Sequence, residues 1–203
     1  MFHMKQIYTF LEKAKPELEQ YILLLKKWQK AVNLVSNSTL DDVWERHIID
    51  SAQLYPLIPQ TARVLVDMGS GAGFPALVLS ILNQVCCGPL KRIILIESDI
   101  KKTLFLKEVI RTLNLSVEVI NKRIEIISDI QADVLTARAL ADLENLLLLG
   151  QKIIKKDTVC LFLKGENAQK EIQNCQIPCQ IEKIKSITNS NSSILKIMGV
   201  KYD

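Results

Sequence analysis

The chain has 203 residues, 48% of them apolar and 24% charged, and a net charge of +4. That length and balance describe one globular domain with a substantial core, and they exclude a disordered or low-complexity chain. Apolar runs such as Leu146 to Leu149 are far too short to span a bilayer.

The first residues, Met1 to Gln6, lack the charged segment, apolar stretch and cleavage site of an export signal, so a cytoplasmic location is expected. Residues 1–60 read as a helical extension. Ile7, Phe10 and Leu11, then Leu18, Tyr21, Ile22, Leu25 and Trp28, recur at three- and four-residue spacing. Asn37-Ser38-Thr39 is expected to break this pattern. Asp41 or Asp42 is expected to cap a following helix that carries Val43, Trp44, His47, Ile48 and Ser51. Pro56 and Pro59 end the section, and no glycine occurs before Gly69.

From residue 61 to 203 strands alternate with helices in one unit. The expected strands are Val64–Met68, Ile93–Glu97, Val117–Asn121, Asp133–Ala137, Val159–Leu163, Ile181–Ile187 and Ile194–Val200, with helices notably over Lys101–Leu113 and Leu143–Ile154. Strands separated by crossover helices imply a parallel sheet covered on both faces. Only the polar tract Thr188 to Ser193 joins the last two strands, so they form an antiparallel hairpin. The five cysteines are odd in number and two are adjacent, which does not suit a disulfide framework. Cys175 and Cys179 have the spacing of half a zinc site, but no second pair completes it, so no metal is expected.

The richest segment is Val64 to Pro75. An apolar strand runs into Asp67, then into a GxGxG loop at Gly69, Gly71 and Gly73, and then through Phe74-Pro75 into a helix. Gly69 suits the tight turn, and Gly71 and Gly73 let a ligand lie against bare backbone at a strand's carboxyl end. Pro75 suits the first turn of the helix. Glu97 ends the second strand, where a carboxylate accepts from ribose hydroxyls. It lies 28 residues after Gly69, longer than the spacing of about 20 in dinucleotide fingerprints. The loop at Cys86 to Leu90 accounts for the excess. Ile124 and Glu125 follow the third strand, beside the position of an adenine. Arg138 ends the fourth and points over the same crevice, where it can hold an anion bidentately or pair with Glu125 or Asp142. Residues 1–60 are charge-balanced, whereas residues 91–123 hold eight basic against four acidic and residues 151–203 nine against five. Such a mildly positive face can meet phosphates.

Four segments together are specific: Asn33-Leu34-Val35 with Arg46-His47-Ile48-Ile49-Asp50-Ser51; Asp67 to Pro75; Glu97-Ser98 with Lys101-Lys102 and Phe105-Leu106; and Arg138-Ala139 with Lys164-Gly165. On these residues the chain resembles, over nearly its whole length, the RsmG (GidB) family of small-subunit ribosomal RNA guanine-N7 methyltransferases. The resemblance implies a class I, Rossmann-like S-adenosylmethionine-dependent methyltransferase: an α/β fold whose parallel sheet ends in an antiparallel hairpin, with an N-terminal helical extension. It implies S-adenosylmethionine as cofactor and a guanine in the decoding-region loop of 16S ribosomal RNA, or of the ribosomal particle, as target. By the same resemblance Gly69 and Phe74 line the methionine region, Glu97 the ribose, Ile124 and Glu125 the adenine, and Arg138 completes the pocket. Ala76 departs from the pattern, which has a further glycine after Phe-Pro.

Guanine N7 carries a lone pair and no proton, so its methylation needs no general base, and no catalytic base is assigned. Arg46, His47, Lys101, Lys102 and Lys164 are the candidates for RNA contact; Asp50 and Ser51 are expected to organise the helical extension around His47. A monomer is expected. Two other readings stay open at this point: a nucleotide-dependent oxidoreductase, and a non-catalytic RNA-binding module with a degenerate cofactor site.

Overall fold

A computed structural model describes residues 2–202. Helices α1 (Phe2–Lys13) and α2 (Lys15–Gln29) follow the apolar spacing of the sequence, with Leu18, Tyr21 and Leu25 buried on one face of α2. The next stretch differs from expectation. Asn37–Leu40 forms a short helical turn, α3, rather than a break, because Ser36 stands in an extended conformation ahead of it and accepts from Thr39. Neither Asp41 nor Asp42 caps the next turn. Trp44–Ile49 winds as a π-helical turn that opens at Val43 without a side-chain cap and runs into α4 (Asp50–Ala52). Such widened turns recur at functional sites.

The described residues form a seven-stranded sheet of order β3-β2-β1-β4-β5-β7-β6. Its strands are β1 (Val64–Met68), β2 (Arg92–Ile96), β3 (Glu118–Ile120), β4 (Ala132–Arg138), β5 (Ile154–Lys164), β6 (Gln180–Lys185) and β7 (Ser193–Met198). The first five pair in parallel; β7 runs antiparallel between β5 and β6. The expected terminal hairpin is therefore present, and it is inserted with its second strand inward. The crossover helices are α5 (Ala76–Val85), α6 (Ile100–Thr112), α7 (Leu143–Leu149) and α8 (Ala168–Asn174). The expected helix over Leu143–Ile154 stops at Leu149. Gly150 to Ile153 turns the chain, and Ile154 pairs with Ala132 at the start of β5. Helix α8 was not separately legible, since Ala168 is its one fully buried residue and it shows no apolar stripe.

Two apolar clusters cover the two faces of the sheet. The larger takes in the N-terminal helices together with α5, α6 and the sheet face beneath them, so the extension shares a core with the strands. Ala76 belongs to this cluster and is fully buried, so its methyl, the one departure from the family pattern, packs without intruding on the loop. Tyr21, Trp28 and Phe105 bind the layers together, with Phe105 of α6 lying 6.4 Å from the Tyr21 ring and 5.8 Å from Trp28. Order along the sheet reverses between β1 and β4, and open α/β sheets bind ligands at the carboxyl ends of the strands at such a reversal.

Because Phe105 is fully buried between α2 and the sheet, Phe105→Ala is expected to cost about 3–5 kcal/mol. Denaturant unfolding followed by fluorescence should show one transition moved to lower midpoint. An early separate loss of the N-terminal helices would contradict a shared core.

Candidate active site

The loop after β1 crosses the reversal point. Gly69, Gly71 and Gly73 all adopt positive φ, at +65°, +54° and +92°. The requirement is strictest at Gly73, where an added Cβ would also lie 2.3 Å from Leu77 Cδ1. At Gly71 the space is open: a Cβ would meet only the Gly69 carbonyl oxygen, at 3.8 Å. Here bare backbone faces open space. The loop is held from below by Tyr21, whose hydroxyl donates to the Ala72 carbonyl at 2.5 Å.

Glu97 stands just past β2 and is buried. Its carboxylate accepts from the Gly71 N–H and the Asp99 N–H, each at 2.8 Å. It pairs with the loop and not with Lys101. Asn121, after β3, donates to the Glu97 and Ser98 carbonyls and so fixes this corner. Ile124 is buried in a single 3-10 turn beyond β3, with Glu125 exposed beside it.

Beneath the loop lies Asp67, 1% exposed. One carboxylate oxygen accepts from Thr136 at 2.6 Å, and the other has no hydrogen-bond partner. Burial pushes this carboxyl up to about 7, against the opposing bonds of Thr136 and Ser70. A buried acceptor with unused capacity at the foot of an open backbone cradle suits a cationic group nearby.

Arg138 joins the loop to the helical extension. Its guanidinium lies 4.9 Å from the centre of the Phe74 ring, donates to His47 Nδ1 at 2.8 Å, and faces Asp50 Oδ2 at 3.9 Å. The partners expected for it, Glu125 and Asp142, are not the ones it uses: Asp142 caps α7 by accepting from Asn145, and Asp50 comes instead from the preceding extension. His47 stacks on Phe74, with ring centroids 4.9 Å apart. Since Arg138 donates to Nδ1, the proton sits on Nε2, which donates to Thr39 Oγ1 at 2.9 Å; that hydroxyl in turn donates to the Ser36 carbonyl. Burial, then the charges of Arg138 and Arg46, hold the imidazole down to about 3, so it is neutral. Just past Arg138 the chain passes through a left-handed conformation at Ala139, φ +51°, and Leu140 comes down over Gly69.

A cavity of about 530 Å³ opens beside Arg138. The extension walls it with Arg46, His47 and Asp50, β5 with Lys164, and the β6–β7 connection with Thr188. The structure thus gathers Phe74, Arg46, His47 and Arg138 at one place and Gly71 with Glu97 at another, the two joined by the glycine loop. Lys101 and Lys102 lie apart, on the first turn of α6, where their N–H groups are capped by Asp99. Lys164 is placed otherwise than its charge suggests. It is 8% exposed, and its ammonium is held by Glu171 of α8 at 2.7 Å and by the Ala141 carbonyl, so it faces protein. Asp67 stood in the sequence as the acidic end of a strand. Thr39, Thr136 and Thr188 carried no signal there, because single threonines gain meaning only from what they face.

The model of the family rRNA small subunit methyltransferase G (GidB) matches residues 14–195. Among similar proteins are the ribosomal RNA small subunit methyltransferases G of Rhodospirillum centenum and of a Jannaschia species. The first is 44% identical over 90% of this chain and 83% of its own length, the second 41% over 92% and 89%. Two solved structures share the fold at low identity. A SAM-dependent methyltransferase from Aquifex aeolicus has TM-score 0.58 at 13% identity, covering 85% of this chain and 97% of that one. MtNAS in complex with S-adenosylmethionine has TM-score 0.58 at 13% identity, covering 98% and 76%.

The raised carboxyl of Asp67 has a consequence for stability. Its native form holds a proton that the unfolded chain has already lost between about pH 4 and 7, so its contribution is full below that window and disappears as pH rises through it. Asp67→Asn removes this dependence and keeps an acceptor for Thr136. Relative to the parent, the variant should therefore gain stability across pH 4–7, by at most about 1.4 kcal/mol per pH unit. Paired denaturant titrations check this, and the His47 contribution, of opposite sign, is common to both proteins and cancels.

Proposed function

Since the chain belongs to the rRNA small subunit methyltransferase G family, we propose that it transfers a methyl group from S-adenosylmethionine to N7 of a guanine in the decoding-region loop of 16S ribosomal RNA. The observation that carries this reading is the pairing of an open glycine cradle, braced by Glu97, with a separate cavity across Arg138.

The residues fit the cofactor. The space above Gly71 admits a ligand against backbone. Glu97 stands where a ribose would be held, and Asp67 offers a buried acceptor for the electrostatics of an ammonium. Phe74, Ile124, Glu125 and Arg138 complete the proposed lining. When bound, S-adenosylmethionine supplies an electrophilic methyl carbon on a sulfonium. The protein's own contribution is alignment and exclusion of water. Neutral His47 stacks on the buried Phe74 ring, and Arg138 lies over that ring, fixed by His47 and Asp50. No side chain of this set is required to take a proton, which agrees with a nucleophile that carries none. Arg46, Lys101 and Lys102 are proposed to meet RNA phosphates, while His47 and Lys164 shape the cavity wall.

Methyl transfer from labelled cofactor to small-subunit RNA or particles, with the modified base mapped, is expected to give 7-methylguanine at a single position. Binding of NAD with none of S-adenosylmethionine, measured by calorimetry, would favour an oxidoreductase and defeat this reading. Gly71→Ala should weaken S-adenosylmethionine binding at least about tenfold, because the new methyl fills the cradle. Its effect on folding should stay near the 1–2 kcal/mol of a non-glycine residue at positive φ. Equal affinities for parent and variant would remove the cradle from the cofactor site.

A further inference from the structure

The cavity beside Arg138 holds a carboxylate outside the proposed cofactor lining. Asp50 is 15% exposed and lines the cavity. Its two oxygens differ. Oδ1 accepts from Thr188 Oγ1 at 2.9 Å and from Gln53 Nε2 at 2.8 Å. Oδ2 has Arg138 at 3.9 Å, beyond hydrogen-bond reach, and retains its acceptor capacity. Gln53 is itself buried and bonded to Ser186 Oγ and to the Ile187 N–H, and Ser186 bonds to Thr188. The carboxylate is thus braced from the β6–β7 connection and holds its orientation without help from a ligand.

We infer that Asp50 is the specificity-determining residue of this cavity, its free Oδ2 accepting the 2-amino and N1–H donors of the target guanine. This rests on the methyltransferase reading above and names the contact by which that site selects its base. Oδ2 alone has two acceptor sites, enough for two adjacent donors on one base edge. Adenine presents a bare ring nitrogen at the corresponding place, which a carboxylate repels. The orientation also works. In guanine the N7 atom lies on the side opposite the 2-amino group. Asp50 is braced from the hairpin side, and Arg138 separates it from Phe74, which follows the glycine loop. A base seated on Asp50 therefore turns N7 toward the loop. Arg138, facing O6 from that side, adds a donor where guanine has an acceptor. The cavity volume lies within the range of about 300–1,000 Å³ found for small-ligand sites, ample for a single flipped base.

The test compares kcat/KM on small-subunit RNA bearing guanosine or inosine at the modified position; inosine differs only in lacking the 2-amino group. The parent protein should prefer guanosine about 10- to 100-fold. Asp50→Asn should bring that preference below about threefold, whatever its effect on overall rate. Thr188→Val, which removes a brace and leaves the carboxylate, should keep the preference even if overall rate falls. Equal use of both RNAs by the parent overturns the assignment without any variant having to fold, as does a preference retained in Asp50→Asn. A parent that binds the cofactor but methylates no guanine overturns the functional reading, and this assignment with it. A parent that methylates guanine N7 without favouring guanosine over inosine overturns the assignment alone.

Discussion

A guanidinium that has left water must find partners, and Arg138 finds its partners in parts of the chain far from its own strand. The side chain is 19% exposed, and burial lowers its tendency to hold a proton while the Asp50 carboxylate favours the charge. His47 and the Arg46 carbonyl come from the π-helical turn, and Phe74 comes from the end of the glycine loop. Were any of these elements to shift, a buried charge would lose its compensation. The position of the N-terminal extension relative to the sheet is therefore fixed at Arg138, beside the cavity.

The same economy governs the floor of the site. Tyr21 reaches from α2 to the Ala72 carbonyl, and its ring also packs 5.2 Å from Phe74. Asp67 and Thr136 couple β1 to β4 at the reversal point. Glu97 is already committed to the Gly71 N–H, so the cradle is formed before a ligand arrives. Such preorganisation lowers the ordering cost of binding. The extension thus walls the cavity beside Arg138, and its helices fold against the sheet in a shared apolar core.

Hydrophobic periodicity and turn chemistry made most of the architecture legible. The parallel strands, the glycine loop and the terminal hairpin all follow from local pattern, since each is specified by residues within a few positions of one another. Where reading failed, the cause was a contact with something remote. Asn37 to Leu40 looks like a break until Thr39 is seen bonding His47. Helix α8 lacks a stripe, since Ala168 is its one buried residue, and its tie to the sheet includes the ion pair of Glu171 with Lys164. Lys164 itself reads as a free cation, and only its register at the end of β5 turns it inward.

By itself, then, the sequence determined the fold class, the glycine loop and the family, because these rest on short segments whose spacing carries the physics. Tertiary structure alone decided which groups share the site. Asp50 and Thr188 are 138 residues apart, and His47 and Arg138 are 91. No local pattern links such pairs. Their meeting is set by strand order and by the packing of the extension over β4, and from that meeting comes a cavity with a braced carboxylate on one wall and a fixed guanidinium beside it.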